Sequence, residues 1–502
     1  MGNLTLNRIF EEGKHQIGKS KSYFCTWQAQ NDVVGMSPDA FPLKRRAMER
    51  SGKNCEKLAV NMLDEEILFG EGGFARQYPN ERAELFFMLD YGWDIPYLTD
   101  PAENMVRFGG HELNLDRFPS FTGTPAERLK KLNAKIQECG WQGLGIWVPS
   151  QPEGMNRQEP FSPDVIDYWR ERILWSKEAN VHYWKLDLGA YMHDPEFRRM
   201  LTSLGHELYP ALCIEQTICP SPLNGNIEED GRFADEEHAP HFAMTYANCD
   251  LFRSGDVSVE LGNVTSIDRI AYLLQSPGAI INCECNPLLA ASLGHSMGIM
   301  RSELHRGGSE NGEKLNEITA ALNWHRFAPP FEKGTVQTSK KILSARHTYG
   351  ETWVPNASNK TVTQGAPAIL ARNTSLPTVL GGEDHRYITA SQNPSGAYSI
   401  ASVPRPMADG TALPPPVVEC YPDPQTTLVG VFGDFEALRL CLGVTEKPFA
   451  RIYAQSLIEG EMEDVTEEVI WEGQTLTVKG STLSRFKTCK DRSENAVAIC
   501  LK

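Results

Sequence analysis

Residues Val181–Ala190 have the sequence VHYWKLDLGA, which predicts a buried strand that ends at Gly189. Lys185 and Asp187 interrupt this strand two residues apart, so the pleat places both side chains on the same face. Burying two charges is costly unless they pair. Two interpretations remain open: a carboxylate nucleophile at the carboxyl end of a barrel strand, kept ionised by the lysine, or a structural ion pair that fixes strand register.

Seven other apolar segments alternate with helical segments around this strand. The eight predicted strands are Ser22–Gln30, Glu84–Asp94, Gly143–Pro149, Val181–Ala190, Pro210–Thr217, Cys249–Val257, Gly278–Cys285 and His295–Glu303. The predicted helices are Leu43–Glu66, Pro125–Glu138, Asp164–Ala179, His193–Leu208, a segment with Ile267–Leu274, and Glu313–Phe327. This alternation predicts an α/β fold, a parallel (β/α)8 TIM barrel over residues 1–332 that begins with a polar lead-in.

The composition changes after the last predicted helix. Residues 333–502 are rich in Thr, Val and Gly, with short alternating runs such as TTLVGVFGD and EGQTLTVKG. Short alternating strands bounded by turn residues are typical of antiparallel sheets. We therefore expect a C-terminal antiparallel β-sandwich domain.

Composition and charge exclude several classes of partner. The 502 residues carry a formal net charge of -16, which argues against nucleic acid or an anionic membrane surface as the main partner. The first residues lack the apolar core of a signal peptide, and no apolar run is long enough to span a membrane. A cytoplasmic protein is the expectation, although prior removal of a signal peptide would leave the same start.

The cysteines and glycines predict neither a metal site nor a cofactor. Most of the 12 cysteines lie inside apolar runs, which favours free buried thiols over a disulfide framework. Cys283 and Cys285 have no second Cys pair or His cluster at zinc spacing. The GEGG of Gly70–Gly73 lacks the Lys-Ser/Thr of a phosphate-binding loop.

Polar and aromatic residues gather where the predicted strands end. The residues at these ends are Asp90, Trp147, Asp187, Glu215 and Asp256. The chemistry of parallel barrels sits at the carboxyl ends of the strands. The alternative is that polarity only marks the exits into loops. That alternative explains Asp94 well, but it explains Lys185 poorly because Lys185 lies inside a strand.

Five motifs follow one another in a recognisable order. They are LDYGW (Leu89–Trp93), GIW (Gly145–Trp147), KLD (Lys185–Asp187), RSGDV (Arg253–Val257) and NCECNPLL (Asn282–Leu289). The order resembles the alpha-galactosidase (melibiase) clan of retaining glycoside hydrolases, families 27 and 36, as a divergent member. The resemblance covers roughly Tyr23 to Phe331.

The resemblance implies a reaction and a set of residues. It implies Asp187 as the nucleophile, Asp256 as the general acid/base, and Lys185 as the cation that keeps Asp187 ionised. A terminal α-linked, galactose-like sugar would be released from an oligosaccharide or glycoside by double displacement. Substrate contacts are implied for Trp27, Asp90, Tyr91, Trp93, Trp147, Glu215, Arg253 and Cys283. Packing at the barrel mouth is the alternative for the tryptophans, and a salt bridge to Arg253 is the alternative for Glu215.

Three departures from the family pattern concern the sugar pocket. Tyr91 stands where the family has a second aspartate, and Cys283 and Cys285 stand at acidic positions. Arg253 is also one residue closer to Asp256 than in the family. The mechanism is therefore carried over but the galactose specificity is not, and a related sugar or a decorated oligosaccharide is expected to be preferred.

Two other functions compete with hydrolysis. A transglycosylase would pass the sugar to another hydroxyl, and a non-catalytic barrel would bind carbohydrate without turnover. Carbohydrate is the expected partner in each case, no cofactor or metal is expected, and a homo-oligomer is left open.

Overall fold

The computed structural model describes residues 21–51, 58–100, 107–154, 160–192, 194–217, 250–253, 261–265, 291, 296–304, 309–328, 330, 347–348, 366–367, 369–372, 387–392, 398–403, 417–421, 427–433, 435–441, 450–486 and 496–502.

Eight short strands form the first sheet. They are β1 (Tyr23–Cys25), β2 (Phe86–Leu89), β3 (Gly143–Val148), β4 (Tyr183–Leu186), β5 (Cys213–Thr217), β6 (Leu251–Arg253), β7 (Leu261–Thr265) and β8 (Ser296–Ile299). From β1 to β6 the strands pair in chain order and run parallel. β8 pairs parallel with β1, so the order of pairing returns to its start.

The structure contains a strand, β7, that the sequence did not predict. β7 runs antiparallel to both β6 and β8, and it precedes the predicted strand Gly278–Cys285, which lies outside the described residues. Six consecutive parallel strands agree with the expected barrel class. The complete (β/α)8 architecture stays a prediction.

Helices follow most of these strands. They are α1 (Thr26–Gly35), α2 (Lys44–Ser51), α3 (Glu65–Phe69), α4 (Pro125–Glu138), α5 (Pro163–Ala179), α6 (Pro195–Leu208) and α7 (Ser309–His325), with 3-10 turns at Ala59–Met62, Phe74–Arg76 and Arg82–Glu84. Three of them begin with a capping residue followed by proline: Thr124, Ser162 and Asp194 each accept a backbone N–H of the first turn. These local signals explain why the predicted bounds of α4, α5 and α6 agree with the structure within two residues.

Two predictions near the N-terminus are wrong in their bounds. The predicted strand Ser22–Gln30 stops at Cys25, and α1 begins at Thr26 without an intervening loop. The predicted helix Leu43–Glu66 is divided, because Asp64 caps a new helix by accepting the N–H of Ile67. In both places the ends of the elements depend on local signals that composition alone does not give.

The two faces of the first sheet have different roles. Alternate residues such as Phe87, Trp184 and Ile214 pack in the large apolar core with the helices. We call the other face the inner face; its apolar cluster consists of Tyr23, Cys25, Phe86, Met88, Tyr183, Cys213, Leu251 and Met300. Lys185 follows Tyr183 at the strand period and therefore points to the inner face.

Glycine on β3 opens room across the inner face. A Cβ at Gly145 would come within 2.6 Å of Met88 Cε and 3.4 Å of Tyr183 Cβ. The rings of Phe86 and Tyr183, on β2 and β4, accordingly meet over β3 with centroids 5.5 Å apart. Side chains of β2 and β4 can therefore contact each other although β3 lies between them.

Antiparallel sheets make up the C-terminal part. The strands are β9 (His347–Thr348), β10 (Ala366–Pro367), β11 (Ile369–Arg372), β12 (Tyr387–Gln392), β13 (Tyr398–Val403), β14 (Val417–Tyr421), β15 (Thr427–Phe432), β16 (Ala437–Cys441), β17 (Ile452–Ser456), β18 (Glu463–Asp464), β19 (Val469–Glu472), β20 (Thr475–Lys479) and β21 (Ala496–Leu501), with a short helix α8 (Gly480–Leu483). The largest sheet has the order β11-β12-β13-β14-β15-β21-β17-β18, and its one parallel pair is β11 with β12.

A second apolar core joins two of these sheets. Val431 and Ile499 of the large sheet share a buried cluster with Leu438 and Leu476 of the three-stranded sheet β16-β20-β19. On the other side, Trp324 of α7 packs against Gly430, where a Cβ would lie 2.6 Å from the indole. The β-rich character agrees with the prediction, and the sandwich architecture itself stays a prediction.

A buried arginine holds the loop that follows β2. Arg117 is 1% exposed and donates to four carbonyl groups and to Asn61 Oδ1. Burial is the main cause that lowers the pKa of Arg117 to about 10. The accepting carbonyls belong to Val60, Leu63, Ile95 and Pro96.

We expect Arg117→Leu to lower the free energy of unfolding by about 3 kcal/mol or more, because buried carbonyl groups would lose their donor. The exposed Arg45 is a matched control, and Arg45→Leu should change the value by less than about 0.5 kcal/mol. Urea unfolding at a common slope measures both changes. Equal midpoints for the two variants would contradict the role given to Arg117.

Candidate active site

Asp187 stands immediately after β4 on a backbone fixed by β3. Its N–H donates to Val148 O at 2.9 Å, and the N–H of Ser150 donates to Leu188 O at 2.8 Å. Gly189 has φ +149°, and a Cβ there would lie 2.8 Å from the backbone of Ser150. The close approach of the two segments therefore requires glycine at this position.

Lys185 lies between two carboxylates. Its Nζ is 2.5 Å from Asp90 Oδ2, which is a hydrogen-bonded ion pair, and 3.9 Å from Asp187 Oδ2, which is an electrostatic contact without a hydrogen bond. The side chains of Lys185, Asp90 and Asp187 are 2%, 5% and 12% exposed. The predicted Lys185–Asp187 contact is present, but the nearer partner is Asp90, and Asp187 is the member of the cluster most open to solvent.

Asp90 is held by protein groups on both oxygens. Oδ2 accepts from Lys185 and from Cys25 Sγ at 3.1 Å, while Oδ1 accepts the N–H of Tyr91 at 2.9 Å. Burial alone would raise the pKa of Asp90, but the charge and hydrogen bond of Lys185 and the hydrogen bonds from Cys25 and Tyr91 together lower the pKa below its ordinary value. Asp90 is therefore an anion at neutral pH, and its predicted contact with a sugar stays a prediction.

Glu215 lies deeper on the inner face. It is fully buried and accepts hydrogen bonds from Tyr183 at 2.7 Å and Tyr23 at 3.2 Å. It is also the register partner of Lys185 across β4 and β5. The side chain of Arg253 lies outside the described part of the chain, so the predicted salt bridge and the predicted sugar contact both stay predictions.

The aromatic residues at the strand ends pack on one another. Trp147 is 2% exposed and contacts the rings of Tyr91 and Phe108 with centroids 4.9 Å and 6.0 Å away. Trp93 is fully buried and donates its Nε1–H to Trp147 O. Both rings therefore take part in packing, and their predicted contacts with a sugar stay predictions.

Trp27 and Tyr91 remain closer to the surface. Trp27 lies in the first turn of α1, not at the end of a strand, and is half-buried against Val60, Ile95 and Leu98. Tyr91 packs in the same cluster, and its OH donates to Arg107 O at 2.5 Å. Burial and the charge of Asp94 raise the pKa of Tyr91 to about 12, so the phenol stays protonated and neutral where the family has a carboxylate.

Several predicted residues fall outside the described part of the chain. Asp256, Cys283 and Cys285 are among them, and Arg253 is described only as backbone in β6. The relation of Asp187 to Asp256 is therefore a proposal. The six described cysteines, at positions 25, 139, 213, 420, 441 and 500, all carry free thiols, and those of Cys25, Cys213 and Cys500 are buried as predicted.

Sequence reasoning missed the residues that surround Lys185 from β1. Cys25 contacts both Asp90 and Lys185, and Thr26 Oγ1 accepts the N–H of Asp90 at 2.9 Å. Gln30 then donates to Tyr91 O at 3.1 Å. A threonine and a glutamine four residues apart suit one helix face, and that spacing was the available signal for α1.

No group of three His, Cys, Asp or Glu side chains among the described residues is placed to hold a metal ion. Within those same residues, no helix has the length and apolarity needed to cross a bilayer.

No protein-family model and no curated protein matches this chain. Solved structures similar to it include a β-L-arabinopyranosidase of glycoside hydrolase family 27 from Geobacillus stearothermophilus, at 10% identity and TM-score 0.37, covering 88% of this chain and 94% of that chain. A proposed alpha-galactosidase/melibiase from Bacteroides fragilis has 11% identity and TM-score 0.33, covering 97% and 81%. An alpha-amylase from Anoxybacillus has 9% identity and TM-score 0.38, covering 96% and 98%.

Two of these structures are described as a member of glycoside hydrolase family 27 and as a melibiase, and these are families that the motifs resemble.

Asp94 is a further carboxylate near the site, and its environment is unusual. Asp94 is 7% exposed, and Oδ2 accepts the N–H of His111 at 3.1 Å, whereas Oδ1 has no hydrogen-bond partner among the described residues. Burial raises the pKa of Asp94 to about 7 and lowers the pKa of His111 to about 3. A carboxyl group of this kind is protonated below neutral pH.

The raised pKa gives a pH dependence of stability. Between about pH 4 and 7 the unfolded chain releases the Asp94 proton and the folded chain keeps it, so this contribution to stability is present below pH 4 and is lost as pH rises to 7. Asp94→Asn should remove that loss. Between pH 5 and pH 8, the free energy of unfolding of the variant should therefore rise by about 3 kcal/mol relative to that of the natural chain.

The exposed Asp116 provides the control, because Asp116→Asn should leave the pH dependence unchanged. Urea unfolding at pH 5, 6, 7 and 8 measures the three curves. Parallel curves for Asp94→Asn and the natural chain would contradict the protonated state assigned to Asp94.

Proposed function

We propose that this protein is a retaining glycoside hydrolase in which Asp187 is the nucleophile. One observation carries the proposal: a carboxylate stands at the carboxyl end of a parallel strand, on a fixed backbone, beside a buried lysine, and is more exposed than the other partner of that lysine. A nucleophile must be rigidly placed and open to the substrate, and Asp187 has a fixed backbone and is the more exposed of the two carboxylates beside Lys185.

The proposed reaction proceeds in two displacements. The Asp187 carboxylate attacks the anomeric carbon of the sugar, while Asp256 protonates the oxygen of the leaving group. Asp256 then deprotonates the water that cleaves the glycosyl ester, and the configuration at the anomeric carbon is retained. The assignment of Asp256 rests on the motif resemblance.

The ammonium of Lys185 has two tasks in this proposal. It neutralises Asp90, which is the more deeply buried anion, and it places positive charge 3.9 Å from the Asp187 oxygen that does not hydrogen-bond to it. A positive charge at that distance favours the anion without a hydrogen bond from Lys185 to this oxygen.

The proposed substrate carries a terminal α-linked, galactose-like sugar. Tyr91 is a neutral phenol whose ring packs on Trp147. It stands where the family has an aspartate, so that carboxylate is missing from the proposed pocket. A pocket without that carboxylate should bind the hydroxyl groups of unmodified galactose less selectively. Transglycosylation and binding without turnover remain the competing functions, and analysis of the products from a panel of nitrophenyl glycosides separates all three.

Asp187→Ala should lower hydrolysis of every glycoside in the panel by about 10³-fold or more, because the nucleophile acts in both displacements. Azide should restore activity to this variant and give a glycosyl azide of inverted configuration. Asp256→Ala should instead retain glycosylation by a substrate with an acidic nitrophenol, and azide should give the retained product.

The exposed Asp39 supplies the control, since Asp39→Ala should keep the activity of the natural chain. Nuclear magnetic resonance of the azide products reads the configuration. An inverted product from Asp256→Ala together with a retained product from Asp187→Ala would reverse the two roles. Full activity in both variants would refute the proposed mechanism.

A single and a double variant separate the two tasks of Lys185. Lys185→Met alone should lower the free energy of unfolding by about 3–5 kcal/mol, because Asp90 would be buried without its partner. Lys185→Met with Asp90→Asn should recover most of that stability, since no unpaired charge remains. Turnover should stay at least tenfold reduced in both variants, as roughly 1.4 kcal/mol of transition-state stabilisation would require.

Measurements of unfolding and of kcat on the same samples test this expectation. Recovery of turnover together with stability in the double variant would show that the Lys185–Asp90 pair is purely structural.

A further inference from the structure

Cys25 closes a ring of three polar groups on the inner face. Its Sγ lies 3.1 Å from Asp90 Oδ2 and 3.7 Å from Lys185 Nζ, and Nζ lies 2.5 Å from Oδ2. The thiol is fully buried at the end of β1. Each member of the ring is therefore within hydrogen-bond distance of the other two.

We propose that Cys25 is a positioning residue that, through Asp90, fixes the ammonium of Lys185 beside Asp187. This inference rests on the proposed function, because Lys185 serves Asp187 there. Cys25 does not reach the substrate in this proposal, and its effect passes through Asp90 and Lys185.

The protonation state of the thiol agrees with a donor role. Burial first, and the Asp90 charge second, raise the pKa of Cys25 well above its ordinary value, more than Lys185 lowers it. The thiol therefore stays protonated at neutral pH. Its S–H donates a hydrogen bond to Asp90 Oδ2, while the sulfur lone pairs face the ammonium. A thiolate could only accept, and it would compete with Asp90 for Lys185.

The same dipeptide holds Asp90 at two points. Cys25 donates to the carboxylate, and Thr26 Oγ1 accepts the backbone N–H of Asp90. Thr26 Oγ1 in turn donates to Gln30 Oε1 at 2.8 Å on the same helix. The abrupt change from β1 to α1 places these donors and acceptors opposite the end of β2, and that placement restricts which way the Asp90 carboxylate can turn.

A packing role for Cys25 predicts a different order of tolerance for alanine and serine at this position. Cys25 also belongs to the apolar cluster of the inner face with Tyr23, Phe86 and Met88. If the thiol only fills space, alanine should be tolerated better than serine, because serine adds a polar group to an apolar site. If the thiol positions Asp90, serine should be tolerated better than alanine in catalysis, because serine keeps a donor and an acceptor.

The kinetic experiment compares Cys25→Ala, Cys25→Ser and a control on the best nitrophenyl glycoside of the panel. We expect Cys25→Ala to lower kcat roughly fivefold to tenfold with little change in KM, as the loss of one hydrogen bond to a charged group implies. The acidic limb of its pH–rate profile should shift to higher pH, because Asp90 would hold the ammonium of Lys185 less firmly. Cys25→Ser should stay within about twofold of the natural chain.

Cys420 provides the matched control. It lies on β14 in the C-terminal sheets, and burial raises the pKa of its thiol to about 12. Cys420→Ala therefore removes another largely buried thiol far along the chain from the site, and it should leave kcat and the pH profile unchanged.

An infrared measurement tests the hydrogen bond without reference to activity. The natural-minus-Cys25→Ala difference spectrum isolates the S–H stretch of Cys25, and the corresponding Cys420 spectrum gives the reference. A donor to a carboxylate should absorb at lower frequency and with higher intensity. An S–H band of Cys25 that matches the reference would overturn the inference whatever the kinetics.

The two readouts separate failure of this inference from failure of the proposed function. A shifted band with wild-type kinetics in Cys25→Ala would overturn the positioning role and leave the glycosidase proposal standing. A shifted band in a protein that hydrolyses no glycoside would refute the proposed function, and the positioning role with it, while the hydrogen-bonded ring would stand. A higher kcat in Cys25→Ala than in Cys25→Ser would show that Cys25 only fills space in the apolar cluster.

Discussion

A buried ammonium shared by two carboxylates is the interaction on which this site depends. Lys185 is almost fully desolvated, so its charge is tolerable only because Asp90 pairs with it at 2.5 Å. Asp187 lies farther from the ammonium and nearer to solvent. One cation thus contacts a deeply buried carboxylate and a more exposed one, which is why the K-x-D motif allows both a structural and a catalytic interpretation.

The fold supplies the geometry that this sharing requires. Asp90 and Lys185 come from β2 and β4, which do not pair with each other, and their side chains meet across β3. The change from β1 to α1 adds Cys25 and Thr26 from a third direction. The cluster therefore depends on the register of three separate strands.

The strand period made part of the site predictable from sequence. It placed Lys185 and Asp187 on one face, and the capping signals gave the bounds of α4, α5 and α6 within two residues. That Asp90 is the nearer partner of Lys185 could not be predicted, because this contact depends on the register between strands whose two residues are 95 positions apart. The start of α1 was missed because Ser22–Gln30 has strand-like composition, and the burial of Trp93 and Trp147 was left open because rings pack in cores and against sugars alike.

The most direct measurement of the central claim is covalent labelling of the nucleophile. A galactose-configured reagent that forms a stable ester with the catalytic carboxylate of a retaining glycosidase is incubated with the natural chain, and the labelled peptide is sequenced by mass spectrometry. The account predicts one sugar per chain, attached to Asp187 and prevented by a competing glycoside. Attachment to Asp90, to Glu215 or to another carboxylate in an active protein would contradict it.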